Sequence, residues 1–323
     1  MSNSVCGQAR VPVESRGNRL DQVAAQLFPD YSRSQLQQWI KSGQLTVNQQ
    51  AAKTKDKLYG GELLQLEAEL TPRGTWQAED LPLDIVFEDE YVLVVNKPAG
   101  MVVHPAAGNP DGTLLNALLA HSEAQASLPR AGIVHRLDKD TTGLMVVAKT
   151  TAAVNDLVAQ LQARSVSREY EAVVIGTMTG GATVNAPIGR HPTQRTKMAV
   201  VHSGKQAITH YRVLERFRQH THIRVKLETG RTHQIRVHMA HQHYPLVGDS
   251  VYAGRFKIPA AASDDLVDLL RAFPRQALHA AELGLIHPKH GEPLRWQAPL
   301  PEDMTKLLVA LRDNEADNEA GDE

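Results

Sequence analysis

The 323-residue chain is 42% hydrophobic and 22% charged, which is typical of a globular protein with a sizeable core. It has no apolar run long enough to span a bilayer and no signal-peptide core at its polar N-terminus, so we expect a cytoplasmic protein rather than a membrane or secreted one. Cys6 is the only cysteine, which excludes an internal disulfide and agrees with a reducing compartment.

Charge is unevenly distributed, although the formal net charge is only −1. Residues 313–323 hold six acidic and no basic side chains, which leaves 35 basic and 30 acidic residues in the rest of the chain. We predict that residues 313–323 form a disordered acidic tail. Residues 190–236 hold eleven Lys and Arg against only Glu215 and Glu228. This block suits a phosphate-rich partner, and it suits equally the solvated faces of two strands.

A small N-terminal module is predicted over residues 16–70, after a flexible segment at 1–15. Apolar residues at three-four spacing predict a helix that ends at Leu27, and Ser32 as N-cap with Gly43 as stop predict a second helix. Two short strands are predicted around the sequences LTVN and LLQL. Basic side chains outside the apolar stripes suit RNA or a protein docking surface, and they include Arg19, Arg33 and Lys41.

A larger domain is predicted over residues 83–312, after a linker at 71–82 that two prolines and a glycine interrupt. It opens with the hairpin sequence DIVFEDEYVLVVNKP, in which β-branched runs flank an acidic turn. Two longer strands, AITHYRVLERF and THIRVKLET, precede a predicted helix that begins at Gln234. A last helix is predicted to run through Leu311.

The stretch AGIVHRLDKDTTGLMVVAKT, residues 131–150, predicts a strand, a polar loop and a second strand. Ile133 and Val134 would enter the loop, and Gly143 would let the chain turn into the second strand. A stiff loop that presents Asp138 next to basic side chains suits a carboxylate acting as nucleophile or base. The alternative is a charged turn in which Asp138 and Thr141 cap the backbone.

Histidines are concentrated around residues 233–243, so we considered a metal site. His238 and His241 are three residues apart on the predicted helix, and Asp249 is the closest carboxylate in the sequence. Cysteine is absent from this region, and the set is incomplete for zinc. We therefore predict no metal.

Four motifs occur in the same order as in a known enzyme family: HRLDKDTTGL, REYEAVVIG at 168–176, TGRTHQIRVHMAH at 229–241 and QALHAAELGLIHP at 276–288. Together they resemble the RluA/RluD family of pseudouridine synthases. The N-terminal module resembles the small RNA-binding module of the ribosomal small-subunit protein four type. The resemblance implies an α+β catalytic domain built on a mixed, mainly antiparallel sheet, preceded by that small α+β module.

The resemblance also implies roles for individual residues. Asp138 would be the catalytic carboxylate, Tyr170 would stack on the uracil and move a proton, and Arg236 would hold Asp138. Arg231 competes with Arg236 for that last role. RNA contacts are expected at the following positions: His135, Arg136, Arg231, His233, Leu278, Arg19, Arg33 and Lys41. No metal or small-molecule cofactor is implied, and we expect a monomer.

The implied reaction is the isomerisation of uridine to pseudouridine in 23S ribosomal RNA of the large subunit, in the stem-loop called helix 69, as a contribution to ribosome assembly. Three alternatives stay open at this point. They are a synthase for transfer RNA, a non-catalytic RNA-binding assembly factor, and a metal-dependent RNA hydrolase that pairs Asp138 with Asp140 and the histidines.

Overall fold

The computed structural model describes residues 4–29, 31, 33–69, 76–106, 108–194 and 196–321. The chain divides into two units, Met1–Thr75 and Trp76–Glu323. Across the described ranges, we find no helix with the length and apolar character needed to cross a membrane.

The N-terminal unit packs two helices against a three-stranded sheet. The helices are α1 (Leu20–Leu27) and α2 (Arg33–Lys41). The strands are β1 (Ser4–Arg10), β2 (Leu45–Val47) and β3 (Leu63–Glu69), arranged antiparallel in the order β1-β3-β2. The predicted apolar stripes form the core, because Leu20, Leu36 and Trp39 are all buried against strand residues such as Leu64.

The prediction of a flexible segment at 1–15 is wrong for residues 4–10. These residues form β1, whose seven positions all pair with β3, and the following Val11 is buried. A paired strand supplies its backbone donors and acceptors with partners, so the segment is ordered by long-range pairing that local composition does not reveal. The N-cap predicted at Ser32 lies outside the described residues.

The second unit contains eleven strands among its described residues. In chain order they are β4 (Ile85–Glu88), β5 (Val92–Lys97), β6 (Thr142–Ala148), β7 (Ser167–Ile175), β8 (Ala182–Asn185), β9 (Ile188–Arg190), β10 (Met198–Val200), β11 (Ile208–Arg216), β12 (His220–Leu227), β13 (Leu278–Ile286) and β14 (Pro293–Gln297).

Nine of these strands form the main sheet, in the order β4-β5-β6-β13-β7-β12-β11-β8, with β14 paired to β13. Its strand pairs are antiparallel except for β6 with β13, which confirms the predicted mixed, mainly antiparallel sheet. At that parallel contact Gly143 has a φ of +113°, and a Cβ atom there would lie 2.3 Å from the carbonyl oxygen of Ala280. Only glycine permits this approach of the two backbones.

Helices cover both faces of the main sheet. They are α3 (Leu114–His121), α4 (Thr151–Gln162), α5 (Gln234–His241), α6 (Asp264–Ala272) and α7 (Glu302–Gly321). Alternate residues of β5 enter different cores, since Leu93 packs with α3 and α5 whereas Val94 packs with α4. Helices α6 and α7 pack on Val173 of β7. The sheet therefore lies between two helical layers.

The predicted domain limits at 71–82 and 313–323 need correction. The side chain of Asn116 in α3 donates to the carbonyl of Gln77, and the N–H of Glu79 donates to the backbone carbonyl of Asn116. These two hydrogen bonds attach residues 77 and 79 to α3. Residues from Trp76 onward thus belong to the catalytic unit. The acidic tail is helical through Gly321. Its start is attached to the rest of the domain by two hydrogen bonds: Asn314 Oδ1 accepts from the N–H of Ser263, and Glu315 accepts from the N–H of Arg218.

The strand predicted before the central loop is reduced to a single bridge between Ile133 and Val147. Arg130 and Ala131 have φ angles of 54° and 51°, which a strand cannot contain. The chain therefore reaches the loop through a tight turn, and regular pairing begins only at Thr142.

Candidate active site

Buried side chains of other elements donate hydrogen bonds to the backbone of the loop that carries Asp138. The Lys97 ammonium donates to the carbonyl of Lys139 at 2.9 Å, as well as to those of Pro98 and Met101. Arg275 donates to the Asp140 carbonyl at 3.1 Å. No carboxylate among the described residues forms an ion pair with Lys97. Burial lowers the pKa of Lys97 to about 7, although the charges of Asp140 and Asp138 oppose the shift.

Asp138 meets the guanidinium of Arg236 at the rim of this loop. Arg236 Nη1 donates to Asp138 Oδ2 at 3.0 Å, while Nε and Nη2 bind the two oxygens of Asp249 at 2.7 and 2.9 Å. Asp249 has no exposed side-chain surface, whereas Asp138 keeps 17%. Burial acts to lower the pKa of Arg236, but the two carboxylates outweigh it and raise that pKa above its ordinary value. The arginine is therefore a permanent cation bridging two acids.

Arg231, the competing candidate, does not reach Asp138. Its Nε donates to the carbonyl of Gln206 at 2.9 Å. His233 lies between the two arginines in sequence, and its Nε2 is 4.0 Å from Asp138 Oδ1. Asp138 thus faces Arg236 on one oxygen and His233 on the other.

Tyr170 lies on β7 with its side chain turned to the same face as Arg168, as the period of two along a strand requires. Its ring is 6% exposed. Burial and the charge of Asp138 raise the pKa of the phenol, although Arg168 opposes them. The hydroxyl therefore stays protonated at neutral pH.

One cavity of about 610 Å³ joins these groups. All eight candidate site residues of the catalytic unit line it: Asp138, Tyr170, Arg236, His135, Arg136, Arg231, His233 and Leu278. Its lining also holds six arginines against two carboxylates, Asp138 and Glu228. A cavity of this volume can hold a nucleotide-sized ligand, and its lining is strongly cationic.

Comparison with known proteins identifies the family and the fold. Residues 91–241 match the family model for RNA pseudouridylate synthase, and residues 18–64 match the S4 domain. A Pseudomonas aeruginosa protein named ribosomal large subunit pseudouridine synthase D is 64% identical over 98% of this chain and 99% of its own length. The chain belongs to the RNA pseudouridylate synthase family. This confirms the family that the four motifs predicted. The chain is an RNA pseudouridine synthase with an N-terminal S4 domain, and we call it the synthase from here on.

Other relatives agree with this assignment. The Escherichia coli K12 protein of the same name is 55% identical to the synthase over 97% of this chain and 96% of its own length. The solved structure of human RNA pseudouridylate synthase domain containing 4 is 25% identical, has a TM-score of 0.55, and covers 71% of this chain and 92% of its own. The human domain containing 1 protein is 26% identical with a TM-score of 0.52, over 73% and 96%.

In the synthase, His135 supports the loop rather than facing outward. Its Nε2 accepts a hydrogen bond from the N–H of Val146 at 3.0 Å, and burial together with Arg168 lowers its pKa to about 3. Arg136, the next residue, is exposed. Of this pair, Arg136 is the side chain that is free to contact RNA.

Two of the three basic residues that were predicted to bind RNA in the S4 domain form hydrogen bonds with one buried carboxylate. Arg19 and Arg33 both donate to Asp21, as does Gln37, and Asp21 has no exposed side-chain surface. Burial acts to raise the pKa of Asp21, but these hydrogen bonds outweigh it and lower that pKa. Arg19 and Arg33 remain 39% and 47% exposed, so each keeps a solvent-facing side, and Lys41 is exposed.

Four further groups of the synthase contact or line the site, and the sequence assigned none of them an individual role in the reaction: Lys97, His104, Arg168 and Asp249. The resemblance places the segments of Lys97, His104 and Asp249 beside the site, and Arg168 is the group for which no such expectation existed. The sequence did contain a signal for Arg168: it lies two residues before Tyr170, and alternate residues of a strand face the same side. Burial lowers the pKa of His104 to about 4, as do Arg130 and Arg136, and its Nε2 is buried without a hydrogen-bond partner among the described residues. A neutral His104 in the cavity lining is a group available to substrate.

His238, one of the two histidines considered for a metal site, has other partners. His238 places Nδ1 against the Thr209 hydroxyl at 2.8 Å and Nε2 against the Ala186 carbonyl at 2.9 Å. Asp249 binds Arg236, so its oxygens are occupied. Within the described parts of the chain there is no group of three or more His, Cys, Asp or Glu arranged to hold a metal.

Proposed function

We propose that the synthase isomerises uridines to pseudouridines in 23S ribosomal RNA of the large subunit, specifically in helix 69, and so contributes to ribosome assembly. The names of its full-length relatives support the large-subunit substrate. The observation that carries the proposal is Asp138, held by Arg236 at the wall of a cationic cavity that Tyr170 also lines.

The reaction breaks the bond between ribose C1′ and uracil N1, turns the base within the pocket and joins C1′ to uracil C5. The proton on C5 is then removed by a base, and N1 gains a proton, so the product is an isomer of the substrate. The target uridine must first leave its stack to reach a cavity of this kind. The arginines that line the cavity provide charge for the flanking phosphates. Arg136, exposed on the same loop as Asp138, is the group we assign to the space that the base vacates.

Asp138 acts as the nucleophile or as the base that starts the reaction, and the hydrogen bond from Arg236 orients its carboxylate. Tyr170 offers its ring as a stacking surface and its hydroxyl as a proton donor, since burial keeps the phenol protonated. Leu278 supplies apolar contact in the same cavity. The S4 domain binds RNA outside the pocket through the solvent-facing sides of Arg19, Arg33 and Lys41.

Pseudouridine mapping tests this function. Unmodified 23S RNA is treated with wild-type protein, Asp138→Asn or Asp140→Asn, with and without a chelator, and adducts are located by primer extension. We expect modification of helix 69 uridines by wild type and Asp140→Asn, none by Asp138→Asn, and no effect of the chelator.

Other results would overturn parts of the proposal. Modification of transfer RNA but not of 23S RNA would replace the substrate. If Asp138→Asn modified the RNA as efficiently as the wild-type protein, Asp138 would have no role in the chemistry. Chelator-sensitive strand breaks that need both Asp138 and Asp140 would favour the hydrolase.

A further inference from the structure

Among the described residues the hydroxyl of Tyr252 has two hydrogen-bond partners, and their chemistry decides where its proton lies. The N–H of Met198 donates to this oxygen at 3.0 Å, and His233 Nδ1 lies 2.8 Å from it. A backbone N–H can only donate, so it takes a lone pair of the hydroxyl. The Tyr252 proton then has His233 Nδ1 as its acceptor, and the described residues offer it no other.

The tautomer of His233 follows from this arrangement. If Nδ1 accepts the Tyr252 proton, the proton of a neutral imidazole must be on Nε2. The opposite tautomer would make Tyr252 accept twice and leave its own proton without a partner. Nε2 is the atom that lies 4.0 Å from Asp138 Oδ1. The network therefore directs an N–H group toward the oxygen that Arg236 does not bind.

The backbone and the surrounding rings hold His233 in this position. It is the N-cap of α5 with a φ of 55°, and its ring meets the Tyr252 ring edge-on at 5.7 Å. The Arg236 guanidinium lies over the Tyr252 ring, 5.1 Å from its centroid. The Tyr252 N–H donates to Asp249 at 3.1 Å. One tyrosine thus contacts both neighbours of Asp138 and the acid that orients Arg236.

The charge of His233 depends on groups from every element around it. Burial lowers the pKa of His233, Arg236 and Arg136 act in the same direction, and Asp138 and Asp249 oppose them. The net effect is a lowered pKa, so the ring is neutral at neutral pH and its tautomer matters.

We infer that Tyr252 is a positioning residue that fixes His233 in its Nε2–H form and thereby gives Asp138 a second hydrogen-bond donor opposite Arg236. The inference rests on the role proposed for Asp138. The gap of 4.0 Å is longer than a hydrogen bond. Such contacts are often long in free enzymes and shorten when substrate is bound.

The tautomer can be measured without any assay of activity. Long-range proton–nitrogen spectra of the full-length protein with ¹⁵N-labelled histidine distinguish the two neutral forms, and the His233→Asn spectrum identifies the signal. We expect the Nε2–H form in wild type and in the control Tyr211→Phe, which removes a half-buried hydroxyl outside this network. In Tyr252→Phe we expect a mixture of forms. An Nδ1–H or protonated ring in wild type at neutral pH would overturn the inference.

Single-turnover rates test whether the tautomer matters for the reaction. We expect Tyr252→Phe to slow pseudouridine formation by about 10- to 100-fold with RNA affinity unchanged. Only the neutral ring accepts the lost hydrogen bond, so the pKa of His233, followed in the same nitrogen spectra, should rise in Tyr252→Phe. A merely structural defect would not produce this shift.

His233→Asn is the second variant, and it guards against a folding defect in Tyr252→Phe. Asparagine suits a positive φ and still offers Tyr252 an acceptor, but it has no donor that reaches Asp138. We expect the same loss of rate. Full activity in His233→Asn would overturn the inference. Full activity in Asp138→Asn would instead overturn the proposed function, and the tautomer result would stand by itself.

Discussion

Asp138 and Arg236 are 98 residues apart in the sequence and are joined by a 3.0 Å hydrogen bond in the structure. The arginine reaches Asp138 with one nitrogen only, because its other two nitrogens bind Asp249. Its planar fork is thus oriented by a fully buried acid and presented to a partly exposed one. A lysine, as a point charge, cannot satisfy both acids in this geometry.

Arg236→Lys should therefore lower the single-turnover rate by about 100-fold or more, as loss of an oriented charged donor does at other active sites. RNA affinity should change little, since the charge is retained. Rates at saturating RNA, with affinity measured separately by filter binding, check this result. A larger loss of rate in Arg231→Lys than in Arg236→Lys would contradict the assignment and favour Arg231.

Tyr170→Phe keeps the stacking ring and removes only the hydroxyl. Because burial keeps the phenol protonated, we expect the variant to lose proton transfer, with a rate reduced by about 100-fold or more. RNA affinity should stay near that of wild type, since the ring is retained. The same single-turnover and binding measurements apply. A variant as fast as wild type would leave Tyr170 with a stacking role only.

Lys97→Met should reveal the pH dependence of a buried charge. Burial lowers the pKa of Lys97 to about 7 in the folded chain, while an unfolded lysine titrates near pH ~10.4. Between these values the unfolded chain holds a proton that the folded chain has released, so a rise in pH favours folding. Below pH 7 both states are protonated, and the cost of burying the charge is present in full.

The free energy of unfolding of wild type relative to Lys97→Met should therefore rise above pH 7, by up to about 1.4 kcal/mol per pH unit. Urea unfolding of both proteins at pH 6.5, 7.5 and 8.5 measures the difference, and the shared titrations of other groups cancel. A difference independent of pH would show that Lys97 keeps an ordinary pKa. The variant also leaves three carbonyl groups without a donor, which lowers its stability at every pH.

Local sequence determined the elements whose pattern repeats over neighbouring residues. The continuous apolar runs around Leu93 and Val146 predicted strands, the three-four spacing around Leu20 predicted a helix, and the motif around Asp138 indicated the family. These features depend on runs of apolar residues, on a period of 3.6 residues and on short motifs, which are present in the chain before it folds.

The contact of Arg236 with Asp138 was already expected from the resemblance, but only the tertiary structure decided the other charge contacts. It brought Asp249 to Arg236 and turned Arg19 and Arg33 toward Asp21. It also ordered residues 4–10 by pairing them with β3 and extended the last helix into the acidic tail through Asn314 and Glu315. Each of these contacts joins residues distant in sequence, and their energy depends on distance and burial, which composition and spacing do not contain.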